Sequence, residues 1–384
     1  MDGETFEAIE AAGRERWLAV MHEALRTETY RPQPVRRVRI PKPGGGERSL
    51  GIPTIRDRVV QTAVLLILPP IFEADMEPTT YGYRPGRTAQ EAIKVVHRTL
   101  CAGQSQVVDA DVSQYFDTIP HAALMQALAR RLSDRKLRRL LKRWLKTPVA
   151  ERTRRGGWHY TGGKRATRGI PQGGVISPLL ANLYMNRYLL MFRQAGLERR
   201  DGARLVNDAD DFVVLCRRGA AEILAQTRQW FRQMGLTVNE QKTRLCDGRR
   251  EAFTFLGYTF GPMVYRKDGH GYLGAAPAKK AVQRIKRRIR QILGPANCEP
   301  WDEVVVDLNA VLRGCAAHFS CGTRLMAYRA VEHDVVDRVR HFLRRRHKVS
   351  TRGTRRFSAE VIFGELGVFD LRRFHLQSPA HASV

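Results

Sequence analysis

Two adjacent carboxylates, Asp210 and Asp211, sit in the run Leu205-Val-Asn-Asp-Ala-Asp-Asp-Phe-Val-Val-Leu215, between short apolar stretches that read as strands joined by a tight turn. Neighbouring carboxylates repel, so a hairpin tip that carries a pair is commonly neutralised by a cation. Far upstream, Gln106-Val-Val-Asp-Ala-Asp-Val112 reads as another strand, with Asp111 at its C-terminal end. A strand-end aspartate and a tandem pair suit two hard cations held roughly 3.5–4 Å apart, an arrangement that supports in-line phosphoryl transfer. Taken alone, the run also reads as an Asp-rich surface turn, the commoner use of such residues.

The elements that must position these groups follow from periodicity. Val38 to Ile52 reads as a hairpin with a Pro-Gly-Gly-Gly tip flanked by Lys42 and Arg48. Two cations there could close over a polyphosphate, and a solvated basic hairpin is an equal reading. The stretch from Arg168 to Leu183 places a Gly-Gly loop before Ser177-Pro178, which predicts an apolar helix with Ser177 as its N-cap. Val59 to Leu68 predicts a buried helix stopped by Pro69-Pro70. Residues 121–147 predict a basic helical region, with Leu137, Leu141 and Trp144 on one face. In the last third, helices are predicted through Val282–Leu293, Val304–Leu312 and Val331–Leu343, the last ending in the basic run Arg344–Lys348. That run reads equally as a solvated helix end or an RNA contact.

Composition narrows the partner. The chain has 384 residues, enough for two or three domains. Its 66 Lys and Arg residues against 38 Asp and Glu give a formal charge of +28, an excess that favours a polyanion, most simply nucleic acid. The apolar run Ala63–Leu68 is far shorter than the roughly 18 residues a membrane span needs. The acidic N-terminus has no signal-peptide core. Six scattered cysteines without a CxxC pair predict reduced thiols in a cytosolic protein. The expected location is the cytoplasm, with nucleoid or ribonucleoprotein association.

Together the motifs resemble those of group II intron-encoded reverse transcriptase/maturases. The resemblance runs through Ile40-Pro-Lys-Pro43, Leu50-Gly-Ile-Pro-Thr-Ile-Arg-Asp-Arg-Val59, Tyr81-Gly-Tyr-Arg-Pro-Gly-Arg87 and Ala110-Asp-Val-Ser-Gln-Tyr-Phe-Asp117. It continues through Pro171-Gln-Gly-Gly-Val-Ile-Ser-Pro178, Gly235–Thr243, Phe255-Leu-Gly-Tyr258 and Leu308–Gly314, in the family's order. It implies an α+β right-hand polymerase followed by an all-α thumb. The implied divisions are fingers at 1–105, palm at 106–265 with a helical fingers insertion near 122–168, and a thumb/maturase domain at 266–384. The implied cofactor is a pair of Mg²⁺ ions, with Mn²⁺ as substitute, held by Asp111, Asp210 and Asp211. Lys42 and Arg48 would hold the triphosphate, and Lys242 would protonate the departing pyrophosphate. Phe116 would exclude a 2′-hydroxyl and so select dNTPs, which argues against an RNA-templated RNA polymerase. Gln172 and Gly173 would line the nucleotide pocket, while Leu256, Gly257 and Arg87 would contact primer and template. Implied partners are group II intron RNA, an RNA template with a DNA primer, dNTPs and a second copy in a homodimer, with no membrane.

The chain departs from the family's pattern at Asn207-Asp208, where Arg-Tyr is usual before Ala-Asp-Asp. By strand alternation Asp208 points to the side of Asp210, adding a third carboxylate and removing an aromatic surface. The expectation is weakened DNA synthesis, and the alternative function is an RNA-binding maturase that only supports splicing. Relative to the family, the fingers are expected to be short at the N-terminus, and no Cys/His-rich HNH endonuclease is expected after the helical domain.

Overall fold

A computed structural model of the chain describes residues 3–41, 46–153, 155–265 and 268–377. They form two compact units, one of Met1–Arg87, Ala110–Phe212 and Gly219–Arg244, the other of Thr88–Asp109, Val213–Arg218 and Leu245–Val384.

In the first unit, Val35–Pro41 pairs antiparallel with Glu47–Ile52, Val38 opposite Leu50, as the sequence predicts for this hairpin. The hairpin joins a sheet of order Glu47–Ile52, Val35–Pro41, Pro148–Arg152, Trp158–Gly162. This corrects the expectation of a helical segment near 122–168. Helices cover His121–Ala129 and Arg135–Leu145, and the chain then turns to strand. Asp134 caps the second helix by accepting from the Lys136 and Leu137 amides at 2.7 and 3.0 Å.

A second correction concerns Pro69 and Pro70. The helix begins at Ile55, capped by Thr54, and runs through both prolines to Glu73. Interior proline costs about 3 kcal/mol. Val60, Val64, Leu68 and Phe72 form a buried stripe at i, i+4 spacing that crosses the prolines, and its burial holds the helix together. Leu66 and Ile67, expected inside, face outward.

The centre of this unit is the helix Ser177–Gln194, buried on nearly every side. Tyr188 meets Phe231 edge-on with ring centroids 4.7 Å apart, and its hydroxyl lies 3.0 Å from Thr227 Oγ1. Tyr115 is a core residue whose hydroxyl donates to the Ala181 carbonyl at 2.7 Å. Ser177 is not the N-cap: it lies inside the first turn, and its hydroxyl donates to the Pro171 carbonyl at 2.7 Å. Ile176 precedes the helix instead, its amide donating to Gln61 Oε1 at 3.3 Å.

The second unit holds a three-stranded sheet of order Gly271–Pro277, Tyr258–Val264, Phe253–Phe255. The helix Ala89–Cys101 starts in a Thr88/Glu91 capping box, and its His97 Nε2 lies 3.1 Å from the Leu273 carbonyl. Helices Lys279–Ile292, Trp301–His318 and Leu325–Arg346 match the three apolar periodicities of the last third. All six cysteines of the chain are free thiols. No helix among the described residues is long and apolar enough to cross a membrane.

Candidate active site

Strands Arg204–Asp208 and Asp211–Cys216 are neighbours in a sheet whose next strand is Gln106–Asp111. Only Ala209 and Asp210 connect the first two, and Ala209 takes a left-handed φ of +59°. A non-glycine residue rarely adopts that conformation unless its surroundings impose it. Here they do. Asn207 is fully buried, and its side-chain amide donates to the carbonyls of Ala209 at 2.9 Å and Asp211 at 3.2 Å. Its backbone is fixed as well: the Tyr81 amide donates to its carbonyl at 2.8 Å, and its own amide donates to the Thr79 carbonyl at 2.9 Å.

The loop that grips Asn207 is in turn held by the central helix. Asn182 Nδ2 donates to the Gly82 carbonyl at 2.6 Å, and Asn186 Nδ2 to the Asp75 carbonyl at 2.7 Å. Gly82 is packed against the acidic turn so closely that a Cβ there would lie 2.6 Å from the Ala209 amide nitrogen and 2.8 Å from Asp208 Oδ1. Asn207 is thus a clamp of the acidic turn, a role its place in the sequence did not suggest. Asp210 lies in the turn, beyond the strand, so alternation does not set its direction. Asp208 is nonetheless within electrostatic reach of it.

The carboxylates perturb one another. Burial and then Asp210 raise the Asp208 carboxyl above its usual range. Burial raises Asp210, Asp111 adds to the rise, and Arg48 and Lys242 oppose it. Asp211 is pushed up to about 7 by the protein packed around it, then by Asp210, Asp111 and Asp208. Part of Asp211 still reaches solvent, so the direction of that shift carries the argument. Asp111, mostly buried, is met by Lys242: Nζ lies 2.5 Å from Oδ2, and Asn239 Nδ2 donates to the same oxygen at 3.3 Å. This hydrogen-bonded pairing raises the ammonium's pKa, keeping Lys242 a cation.

The first unit therefore brings Asp111, Asp208, Asp210, Asp211, Lys242 and Arg48 into one electrostatic neighbourhood. The Arg48 side chain, exposed on strand Glu47–Ile52, makes no hydrogen bond or ion pair among the described residues. Lys42 lies outside the described residues. Phe116 is buried, its ring edge-on to Tyr115 with centroids 5.8 Å apart. Gln172 and Gly173 lean on the same strand as Arg48: the Gly51 amide donates to the Gln172 carbonyl at 2.6 Å. Gly173 has φ +107°, and a Cβ would sit 2.8 Å from the Gly51 oxygen, so only glycine fits. A cavity of about 190 Å³ opens beside them, lined by Arg37, Asp117, Arg168 and Gln172 among others. Arg87 is exposed, its guanidinium 5.9 Å from the Tyr81 ring centre. Leu256 and Gly257 belong to the second unit, where both take positive φ and form the two-residue turn between Phe253–Phe255 and Tyr258–Val264.

Oxygen-only donors that repel one another suit a hard divalent cation. Among the described residues no three His, Cys, Asp or Glu side chains already converge as a ligand set. The Lys242 ammonium supplies the positive charge at Asp111 in this arrangement.

Comparison with known proteins accords with this geometry. Residues 40–260 match the family model described as reverse transcriptase (RNA-dependent DNA polymerase), and residues 282–358 match the group II intron maturase-specific domain. Protein YkfC of Escherichia coli is 34% identical over 305 residues, covering 69% of this chain and 76% of that protein. The group II intron-encoded protein LtrA of Lactococcus lactis subsp. cremoris is 37% identical over 165 residues, covering 43% of this chain and 26% of LtrA. The putative COX1/OXI3 intron 1 protein of Saccharomyces cerevisiae is 32% identical over 306 residues, with 67% of this chain and 36% of that protein covered. The chain thus spans about three-quarters of YkfC but only about a quarter of LtrA and just over a third of the yeast protein. Among solved structures, the telomerases of Candida albicans and Candida tropicalis each cover 92% of this chain with TM-score 0.50, at 11% and 12% identity. The matched parts are 65% and 68% of those chains, a likeness of fold alone. The fold is the α+β right hand of polymerases, followed by helices, and the chain belongs to the reverse transcriptase family with a group II intron maturase-specific domain.

Proposed function

We propose that this chain is an RNA-directed DNA polymerase that also binds its host group II intron RNA and assists its splicing. The observation that carries this reading is the cluster at the acidic turn: Asp210 and Asp211 electrostatically coupled to Asp111, which is itself paired with Lys242. In this reading Asp111, Asp210 and Asp211 hold Mg²⁺, with Mn²⁺ as a substitute. Bound there, the divalent ions neutralise charge developing on the transferred phosphoryl group. Arg48, with Lys42, holds the triphosphate, and Lys242 leaves Asp111 to donate its proton to pyrophosphate. Phe116 closes the sugar pocket against a 2′-hydroxyl, and Gln172 and Gly173 line the nucleotide side. Leu256, Gly257 and Arg87 contact primer and template. Fingers, palm and thumb correspond in this reading to 1–105, 106–265 and 266–384. The surplus of positive charge suits tracking of phosphate backbones, and intron RNA would be read mainly by shape, phosphates and 2′-hydroxyls.

One observation favours the second reading, a maturase with impaired synthesis: Asp208 adds its charge to the same cluster. Extension of oligo(dT) on poly(rA) with Mg²⁺ and with Mn²⁺, beside Asp210→Ala, separates the two. The polymerase reading expects dTTP incorporation that disappears in Asp210→Ala and is not replaced by UTP incorporation. Absence of extension with retained binding of intron RNA would leave the maturase reading.

A further inference from the structure

Tyr83 is a large aromatic side chain with no internal use. It is 59% exposed, at a backbone φ of +55°, a genuine outlier for a bulky residue. Among the described residues no ring packs against it and its hydroxyl makes no hydrogen bond. Its backbone is nevertheless locked from both sides. Tyr81 is tied to Asn207, Gly82 is held by Asn182 and wedged against Ala209, and Arg84 anchors the far side. The Arg84 side chain is 6% exposed and donates to the carbonyls of Glu77 and Thr80 at 2.8 and 2.9 Å, while pairing with Glu73 at 2.5 Å. A strained residue held this firmly, its side chain left to solvent, is the arrangement found at ligand clamps.

The surroundings define the ligand. Asp208, Asp210, Asp211 and Arg48 are all within electrostatic reach of the phenol, and the neighbouring Gly82 packs directly against Asp208 and Ala209. Burial and then Asp210 raise the phenol's pKa, so it remains a hydroxyl donor at neutral pH. The carboxylates accept from hydroxyls and amines and repel a bare anion, while Arg48 attracts phosphate. A ligand with a flat or ring-shaped neutral part, hydrogen-bond donors and a phosphate attached meets all these demands.

We propose that Tyr83 is a nucleoside platform: its ring packs against the sugar or base of a nucleoside held at the acidic turn. Because stacking on an aromatic surface tolerates every base, the platform positions its ligand without choosing its sequence. The assignment deepens the polymerase reading and rests on it. Two sources share this chemistry, the 3′-terminal nucleoside of a primer and an incoming dNTP.

Photocrosslinking distinguishes them. A template–primer carrying 5-iododeoxyuridine at the primer 3′ end, and separately 5-iodo-dUTP on an unmodified template–primer, are irradiated with the full chain in Ca²⁺, and the adduct is mapped. The expected result is attachment to Tyr83 in at least one arm. In that arm, Tyr83→Ala should weaken binding about tenfold or more while Tyr83→Phe stays near wild type. Thermal unfolding of Tyr83→Ala near the wild-type midpoint confirms that the fold is intact. A bound complex that crosslinks elsewhere in both arms, with unchanged affinities in Tyr83→Ala, overturns the platform even if extension is normal. Absence of extension with the Tyr83 adduct retained overturns the polymerase reading and leaves the platform standing. Failure to bind template–primer and nucleotide altogether overturns both.

Discussion

Truncating Asn207 to alanine should loosen the acidic turn, and the structure sets the scale. The substitution removes two hydrogen bonds from a fully buried amide, to the Ala209 and Asp211 carbonyls. Each contributes about 0.5–1.5 kcal/mol net, and a carbonyl left unpaired away from water adds a desolvation cost of about 1–3 kcal/mol. The Ala209 carbonyl belongs to a buried residue, whereas Asp211 is partly exposed, so one such penalty is expected. The total is about 2–6 kcal/mol, most of it confined to the turn. If half of that must be supplied whenever the turn orders around a cation, apparent Mg²⁺ affinity falls about five- to a hundredfold, since 1.4 kcal/mol is one decade. The assay is primer extension titrated with Mg²⁺, beside thermal unfolding in EDTA. The expected variant has a higher Mg²⁺ midpoint, partial rescue by high Mg²⁺ or Mn²⁺, and a lower unfolding temperature. Equal Mg²⁺ midpoints and equal unfolding temperatures would refute the clamp. Asn207→Arg should be worse than Asn207→Ala, because it places a charge where no water reaches. The family's usual residue therefore cannot simply be restored at this position without rebuilding its surroundings.

Three further outcomes are expected. Burial and the neighbouring carboxylates push Asp211 up to about 7 in the folded chain, well above the ordinary carboxylate range, so the native state holds a proton that the unfolded chain releases. Without divalent metal its contribution to stability must fall as pH rises from about 4 through 7, and Asp211→Asn should raise the unfolding temperature at pH 8 but not at pH 4, read by calorimetry in EDTA. Gly82→Ala drives a Cβ against the backbone of Ala209 and the Asp208 side chain; extension should drop at least tenfold, and near-wild-type rates would show that the turn yields freely. Tyr30→Phe removes the hydroxyl that donates to Asp57 and accepts from Trp144 Nε1 at 3.3 Å, which should cost about 1–3 kcal/mol in urea unfolding. A difference under about 0.5 kcal/mol would mean that Asp57 is satisfied without it.

What could be read from the chain depended on how local the governing contacts are. The hairpin at Val35–Ile52 and the helices of the last third are set by neighbours a few residues apart, and periodicity sufficed for them. Proline at 69 and 70 is a strong local stop signal, yet it lost to a buried stripe four residues apart that only tertiary packing creates. Strands Pro148–Arg152 and Trp158–Gly162 were missed for the complementary reason: they have weak alternation, and one of them pairs with a strand more than a hundred positions away. The candidate site shows the same division. Asp210 and Asp211 announce themselves because repulsion between adjacent carboxylates is visible in any sequence. The pairing of Lys242 with Asp111 spans 131 positions, and no spacing rule leads to it.

The sharpest case is Asn207-Asp208. Read as letters, the pair is one departure with two consequences, an added carboxylate and a lost aromatic surface, both laid on Asp208. In the folded chain the two residues do opposite things. Asp208 adds to the repulsion, whereas Asn207 spends its amide on the two carbonyls that flank Asp210 and shape the turn. A sequence argument could not separate them, because the distinction depends on which side chain is turned inward at a residue pair whose next neighbour has φ +59°. The consequence is directional. Asp208→Asn alone should relieve repulsion and lower the Mg²⁺ requirement, whereas any shortening at 207 should raise it. If both substitutions shift the Mg²⁺ midpoint the same way, the two residues act together and the clamp is not a separate device.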